Sequence, residues 1–174
     1  MRRVLVMGCS GAGKSTFAMA LAARLGLPYL SLDGLFWQPG WVEPDKAEFA
    51  ARVVEAAEGE AWVIDGNYIS HGGDIRRARA DTVCWFDLPM VTCLASVIGR
   101  TLRSRGRVRP EMAPGCPERF DLAFYRYVWT YRAAQRPRLL TWLAGLGEGQ
   151  RLVTFTARAE ADAFLAALPA AGRG

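Results

Sequence analysis

Nine residues near the start of the chain, Gly8 to Thr16, have the composition of a phosphate-binding loop. The segment reads GCSGAGKST, and its spacing from Gly8 to Ser15 is G-x-x-x-x-G-K-S, that of the P-loop. Glycines allow positive φ angles, so successive backbone N–H groups can turn inward around a phosphate. We therefore predict that the loop binds ATP. The residues expected to hold the nucleotide are Gly8, Ser10, Gly11, Ala12, Gly13, Lys14, Ser15 and Thr16.

Two side chains of this loop carry specific chemistry. Lys14 is expected to reach the β- and γ-phosphates, and Ser15 is expected to offer its hydroxyl to Mg²⁺. The surrounding pattern favours this interpretation, because the apolar run Val4–Met7 predicts a buried strand and the spacing of Phe17 and Leu21 predicts a helix after the loop.

The remaining pattern alternates strands and helices along a single domain, residues 1–174. Further strands are predicted at 29–32, 62–65, 82–87 and 151–156, and further helices at 45–58, 88–103, 120–136, 138–146 and 160–168. This order predicts an α/β fold, a three-layer α/β/α sandwich around a five-stranded parallel sheet. Such sheets bind ligands at the carboxyl ends of their strands, where the glycine loop, Asp33, Asp65 and Asp87 are expected to meet.

Each of these aspartates has a predicted role or an open one. Asp33 can accept a hydrogen bond from an acceptor hydroxyl or act as its base, or it can simply cap a helix above Phe36. Asp65 is expected to orient magnesium through water, with Asn67 facing the same cleft. For Asp87 both a catalytic role and the mere end of a strand stay open.

Positive charge is concentrated in one segment. The net charge is +5, but residues 100–138 contain ten arginines and three acidic residues, a local charge of +7. Residues 100–120 are predicted to form a lid that places Arg100 and Arg103, one helical turn apart, over the transferring phosphoryl group. A solvated basic surface or phosphate contacts to nucleic acid are the alternatives. Residues 34–60 are predicted to be an acceptor-binding insertion.

Other classes of protein are disfavoured by what the sequence lacks. The only asparagine is Asn67, so the Asn-Lys-x-Asp guanine-binding motif of Ras-type GTPases is absent. Neither Asp65 nor Asp87 is followed by a second acidic residue, which disfavours ABC- and AAA-type motors. Four scattered cysteines suggest reduced thiols. No apolar run has the length of a membrane span, and a cytoplasmic protein is expected.

Several segments together resemble a known family. GCSGAGKST, SLDGLFWQPGW, WVIDGNY, RAD at 79–81 and MAPGCPERFDLAF at 112–124 are similar to segments of the small bacterial DNA topology modulation proteins, which are grouped with adenylate kinase and related P-loop kinases. This resemblance implies a P-loop kinase fold of the nucleoside/nucleotide kinase type. The grouping implies phosphorylation of a nucleotide or small molecule, whereas the family name implies an effect on DNA topology.

The resemblance to adenylate kinase itself is partial. Those enzymes continue their third strand with Asp-Gly-Phe-Pro-Arg, whereas this chain has Asp65-Gly-Asn-Tyr68 and lacks the arginine that holds a nucleoside monophosphate. The position of Asp33 is similar to that of the acceptor-binding aspartate in shikimate-type and gluconate-type kinases, which implies an acceptor hydroxyl. Arg76, Arg77 or Arg79 could replace the missing arginine.

The leading prediction is therefore an ATP- and Mg²⁺-dependent phosphotransferase with Lys14, Asp33, Arg100 and Arg103 as catalytic residues and Ser15 and Asp65 at the metal. The alternative is a nucleotide-sensing DNA-binding protein. The sequence leaves open the acceptor, the choice between ATP and GTP, and the oligomeric state.

Overall fold

A computed structural model describes residues 1–169 and shows a five-stranded, all-parallel sheet in the order β2-β3-β1-β4-β5. The strands are β1 (Arg3–Gly8), β2 (Tyr29–Ser31), β3 (Trp62–Asp65), β4 (Thr82–Phe86) and β5 (Arg151–Phe155). The three central strands, β3, β1 and β4, are almost wholly buried. They are covered on both faces, which explains why they read as continuous apolar runs in the sequence.

Helices cover both faces of this sheet. They are α1 (Lys14–Leu25), α2 (Leu32–Phe36), α3 (Lys46–Ala57), α4 (Gly73–Arg79), α5 (Met90–Ser104), α6 (Leu122–Ala134), α7 (Arg136–Leu143) and α8 (Arg158–Ala167). Side chains alternate along β1, so that Val4 and Val6 pack with α1, α5, α6 and α8, while Leu5 and Met7 pack with α2, α3 and α7. Two apolar cores with the sheet between them form the predicted three-layer sandwich, and the predicted fold class is confirmed.

Two helices were missed by the sequence analysis. β2 ends at Ser31, one residue earlier than predicted, because the Ser31 hydroxyl accepts a hydrogen bond of 3.1 Å from the backbone N–H of Gly34 and starts α2. Asp33 therefore lies in the first turn of a short helix and neither ends a strand nor caps a helix. The second missed helix, α4, buries Arg76 at a position where an apolar residue is expected. The helical spacing of apolar residues is therefore absent from its sequence.

Asp87 has a structural partner in the fold. Its two carboxylate oxygens accept hydrogen bonds of 2.8 and 2.7 Å from Nε and an Nη of Arg136, whose guanidinium also lies 5.5 Å from the centre of the Trp85 ring. This bidentate pair joins the end of β4 to the start of α7. None of the helices in residues 1–169 is both long and apolar enough to cross a membrane.

Candidate active site

The glycine loop lies between the carboxyl end of β1 and the start of α1, and its shape requires glycine at two close approaches. Gly8 has φ +138°, and a Cβ there would collide with the backbone carbonyl of Phe86. Gly11 has φ +83°, and a Cβ there would collide with the carbonyl of Cys93 on α5. L-residues rarely adopt such angles. The loop is therefore enclosed by β4 and α5, with its open side toward the cleft.

Asn67 fastens the beginning of this loop. Its side-chain amide accepts a hydrogen bond from the backbone N–H of Gly8 and donates one to the Gly8 carbonyl, both of 2.9 Å. Gly8 is the last residue of β1, and Asn67 follows β3, so the amide continues the pairing of the two strands beyond their ends. Asn67 lines the cleft, as the sequence analysis predicted, and its side chain also supports the glycine loop.

A fully buried arginine fixes the segment that carries Asn67. An Nη of Arg76 donates hydrogen bonds of 2.9 Å to the carbonyl oxygens of both Asn67 and Tyr68. Burial lowers the pKa of Arg76 to about 10, which leaves the guanidinium charged at neutral pH. Tyr68 has φ +30°, an unfavourable angle for a bulky residue that these contacts hold in place. Arg76 thus holds this segment in place. It does not line the cleft, so it does not replace the arginine that binds a nucleoside monophosphate in adenylate kinase.

Asp65, at the end of β3, is the buried carboxylate nearest to the loop. Burial raises its pKa to about 6, while the charge of Lys14 and the hydroxyl of Ser15 act in the opposite direction. Its Oδ1 has no hydrogen-bond partner, an unusual situation for a buried carboxylate. An ionised oxygen without a partner, close to the loop serine, fits Mg²⁺, which commonly takes one or two protein oxygens and completes its shell with phosphate and water. Residues 1–169 contain no cluster of three or more His, Cys, Asp or Glu side chains arranged for a metal.

The Asp33 carboxylate is held in a fixed orientation by Tyr68. The hydroxyl of Tyr68 donates a 2.8 Å hydrogen bond to its Oδ1. Burial and the negative charge of Asp33 raise the pKa of Tyr68, so this hydroxyl stays protonated and keeps donating. Oδ2 of Asp33 makes no hydrogen bond within the described residues, and Asp33 lines the cleft.

One cleft of about 1000 Å³ contains both the glycine loop and Asp33. Its lining includes residues 10–16 together with Phe17, Arg158 and Leu165. It also includes a set of aromatic and acidic side chains: Asp33, Phe36, Trp37, Trp41, Glu43, Tyr68, Glu111 and Tyr127. The predicted loop residues and Asp33 are therefore brought together.

The arginines at the end of α5 and in the segment that follows it line the same cleft, and most of them are paired with carboxylates. Buried Glu118 accepts from Nε of Arg100 at 3.0 Å and from Nε of Arg109 at 3.0 Å, and Arg109 also pairs with Glu111 at 2.6 Å. Burial and the nearby charge of Arg109 lower the pKa of Arg100. Arg103 is exposed and makes no ion pair in residues 1–169, with its guanidinium next to Gly99 one turn earlier.

The predicted lid is attached to the predicted acceptor-binding insertion. The indole N–H of Trp41 donates to the carbonyl of Pro117 at 3.0 Å, and the Gly40 N–H donates to the carbonyl of Gly115 at 2.9 Å. The Cys116 thiol donates to the carbonyl of Gln38 at 3.2 Å. Residues 112–117 and 37–41 are therefore joined to each other, and both segments contribute to the lining of the cleft.

Arg158, after β5, is a site residue that the sequence analysis missed. Its guanidinium donates to the carbonyls of Gly11 and Ala12 at 2.6 and 3.2 Å, and to the hydroxyl of Ser96 on α5 at 2.5 Å. These contacts turn the loop carbonyls away from the phosphate side, so the N–H groups are free to face it. No local pattern connects Arg158 with a loop almost 150 residues earlier.

Comparison with solved structures shows the fold of small P-loop kinases. The chain is similar to a shikimate kinase from Bacteroides thetaiotaomicron, with a TM-score of 0.56, 16% identity, and 95% of this chain and 94% of that chain covered. It is also similar to a gluconokinase from Sinorhizobium meliloti 1021, with a TM-score of 0.55, 21% identity, and 95% and 91% covered. No protein-family model and no curated protein matches the sequence. The resemblance to DNA topology modulation proteins therefore stays a prediction, while the P-loop kinase fold it implied is confirmed.

The raised pKa of Asp65 predicts an unusual effect of Asp65→Asn on stability. Between pH 4 and 6 the folded protein keeps a proton that the unfolded chain has released, so raising the pH through this window lowers the free energy of unfolding. At pH 7.5 and without nucleotide or Mg²⁺, the variant should be more stable than the parent by about 3 kcal/mol. At pH 4 the difference should vanish.

Urea unfolding at the two pH values measures this effect, with exposed Asp74→Asn as the matched control. A destabilised Asp65→Asn at pH 7.5, or a gain of equal size at both pH values, would contradict the raised pKa.

Removing the amide of Asn67 should loosen the glycine loop. In Asn67→Ala the N–H and carbonyl of Gly8 lose their partners, which we expect to cost about 2 kcal/mol of unfolding free energy. ATP affinity should fall as well, because the loop is less ordered before binding. Gln135→Ala is the control, since the Gln135 side chain makes no hydrogen bond within residues 1–169. Equal stability and equal ATP affinity in the two variants would refute the supporting role of Asn67.

Proposed function

We propose that this protein is an ATP- and Mg²⁺-dependent phosphotransferase that moves the γ-phosphoryl group of ATP to a hydroxyl of a small molecule. The observation that carries the proposal is that Asp33 and the glycine loop line one and the same cleft. The similarity of the fold to two small P-loop kinases, one described as acting on shikimate and one as a gluconokinase, supports it.

The proposed reaction is a direct displacement at phosphorus. The acceptor hydroxyl oxygen forms a bond to the γ-phosphorus, the bond between that phosphorus and the β,γ-bridging oxygen breaks, and ADP leaves with the bonding pair. Asp33 orients the hydroxyl and takes its proton through Oδ2, since Oδ1 already accepts from Tyr68. Ser15 and Asp65 are the residues that would hold Mg²⁺, which would neutralise phosphate charge when bound.

Lys14, Arg103 and Arg100 supply positive charge around the transferring phosphoryl group. Lys14, whose Nζ donates to the carbonyl of Cys9 at 3.0 Å, can exchange this contact for phosphate oxygens. Arg103 is exposed and makes no ion pair within residues 1–169. We propose that its guanidinium stabilises the negative charge that develops on the phosphoryl group in the transition state. We give Arg100 the same role, reached through rearrangement of its pair with Glu118.

The alternative of a DNA-binding protein rests on the +7 charge of residues 100–138 and on the resemblance to DNA topology modulation proteins. Arg100, Arg109 and Arg119 pair with Glu111, Glu118 and Asp121, which the +7 already counts, so only the pair of Arg136 with Asp87 lowers the local charge, to +6. Neither of the two similar solved structures is described as binding nucleic acid, so the comparisons support the phosphotransferase and not this alternative.

Replacing Lys14 tests the donor site. Calorimetric titration with Mg-ATP should give binding for the parent and a loss of at least about tenfold in affinity for Lys14→Ala, because the ammonium that faces the phosphates is removed. Lys46→Ala is a matched control, since Lys46 is the only other lysine and lies exposed at the start of α3. Unchanged affinity in Lys14→Ala would exclude the donor site.

Replacing Asp33 tests the acceptor site separately. Asp33→Asn should leave Mg-ATP affinity within about twofold, while acceptor-dependent ADP release should fall by about 10²–10⁴-fold, because an amide cannot take the proton. Asp74→Asn, an exposed change outside the cleft, should behave like the parent. Retention of acceptor-dependent turnover in Asp33→Asn would remove the residue from the mechanism.

A further inference from the structure

The acceptor end of the cleft, by which we mean the part lined by Asp33, Glu43, Glu111 and the aromatic side chains, has an excess of negative charge. Three lining arginines are each paired with a carboxylate: Arg100 with Glu118, Arg109 with Glu111 and Glu118, and Arg119 with Asp121. Two lining carboxylates, Asp33 and Glu43, are in no ion pair within residues 1–169, and the same holds for a fourth lining arginine, Arg103. Among these residues an acidic acceptor would thus meet two unpaired carboxylates and one unpaired guanidinium.

Tyr68 lies in the field of the same two carboxylates. Burial is the largest cause of its raised pKa, and Asp33 comes next, ahead of Tyr127 and Glu43. Asp33 and Glu43 therefore both act on a side chain that lines the cleft.

The walls of this end are aromatic, and one of them already binds a cation. The rings of Phe36 and Trp37 are 4.9 Å apart, and those of Phe36 and Tyr68 are 5.0 Å apart. The guanidinium of Arg119 lies 5.3 Å from the ring centre of Trp41, which itself contacts Trp37. Aromatic faces beside carboxylates attract ammonium groups through electrostatic and cation–π interactions. The aromatic wall is therefore a second reason to expect a cation, in addition to the unpaired carboxylates.

We propose that the acceptor is a hydroxylated amine, an amino alcohol or amino sugar, whose ammonium group binds between Glu43 and the wall formed by Trp37 and Tyr68 while its hydroxyl binds Asp33. The inference rests on the proposed phosphotransferase function and names its substrate class. The hydroxyl oxygen gains the phosphoryl group and passes its proton to Asp33, ADP leaves, and the ammonium group is unchanged. The product is a phosphomonoester that carries a negative phosphate group and a positive ammonium group.

This assignment differs from what the names of the two structural neighbours suggest, since shikimate and gluconate are acids. The difference follows from the arginines of this chain, which are occupied by Glu111, Glu118 and Asp121. At these three arginines an acid would meet charge that is already neutralised, and displacing one of the carboxylates would leave it in the cleft without its partner, at a desolvation cost.

The test compares probes that share a carbon skeleton and differ in charge. Glucosamine, glucose and gluconate, together with a panel of small amino alcohols and the corresponding diols and hydroxy acids, are titrated calorimetrically with and without a non-hydrolysable ATP analogue and Mg²⁺. ADP release with ATP is followed for the same set. The inference predicts that members of the ammonium class bind at least about tenfold more tightly than their neutral or acidic counterparts, with tighter binding at low salt.

A substitution links the preference to Glu43. Glu43→Gln should raise the dissociation constant of the bound amine about fivefold and leave Mg-ATP affinity and binding of neutral probes unchanged. Glu55→Gln, an exposed carboxylate of α3 outside the cleft, is the matched control.

Two outcomes would overturn the inference: a hydroxy acid that binds as tightly as its amine counterpart, or no binding by any amine in the panel. Both differ from failure of the proposed function. If hydroxy acids are phosphorylated, the phosphotransferase stands and the acceptor class is wrong. If ATP does not bind at all, the function fails, while the titrations without nucleotide still decide whether the cleft prefers amines.

Discussion

The pairing of the Asn67 amide with the backbone of Gly8 is the interaction on which the rest of the cleft depends. The N–H of Gly8 lies at the end of a buried strand and would otherwise have no partner. The same short segment carries Tyr68, whose hydroxyl orients Asp33, and both residues are held by the buried guanidinium of Arg76. One arginine on α4 therefore holds the backbone of the two residues whose side chains contact Gly8 and Asp33.

Several parts of this arrangement could be predicted from the sequence because their signals are local. The glycine spacing from Gly8 to Ser15 and the apolar run before it are contained in a dozen residues. The parallel sheet follows from the alternation of short apolar runs with helical patterns. The carboxyl ends of neighbouring strands bring Asp65 close to the glycine loop. Asp33 also lines the cleft, but from the first turn of α2 and not from the end of a strand as predicted.

The rest depends on contacts between distant residues. Arg76 looks like a surface residue of an arginine-rich helix, and nothing near it in the sequence shows that it is buried. Arg158 contacts a loop almost 150 residues away, and the lid arginines can be matched with Glu111 and Glu118 only when the fold is known. Counting the charges of residues 100–138 likewise does not show that Arg100, Arg109 and Arg119 are paired with carboxylates of the same segment.

The central claim is that ATP and a small hydroxyl compound react with each other in this cleft. Phosphorus NMR of the protein with Mg-ATP and the amino-alcohol and amino-sugar panel follows the transferred group itself. The account predicts a new phosphomonoester resonance that grows as ADP forms, that requires the acceptor, and that is absent with Asp33→Asn. Formation of inorganic phosphate alone, at a rate independent of any acceptor, would contradict it.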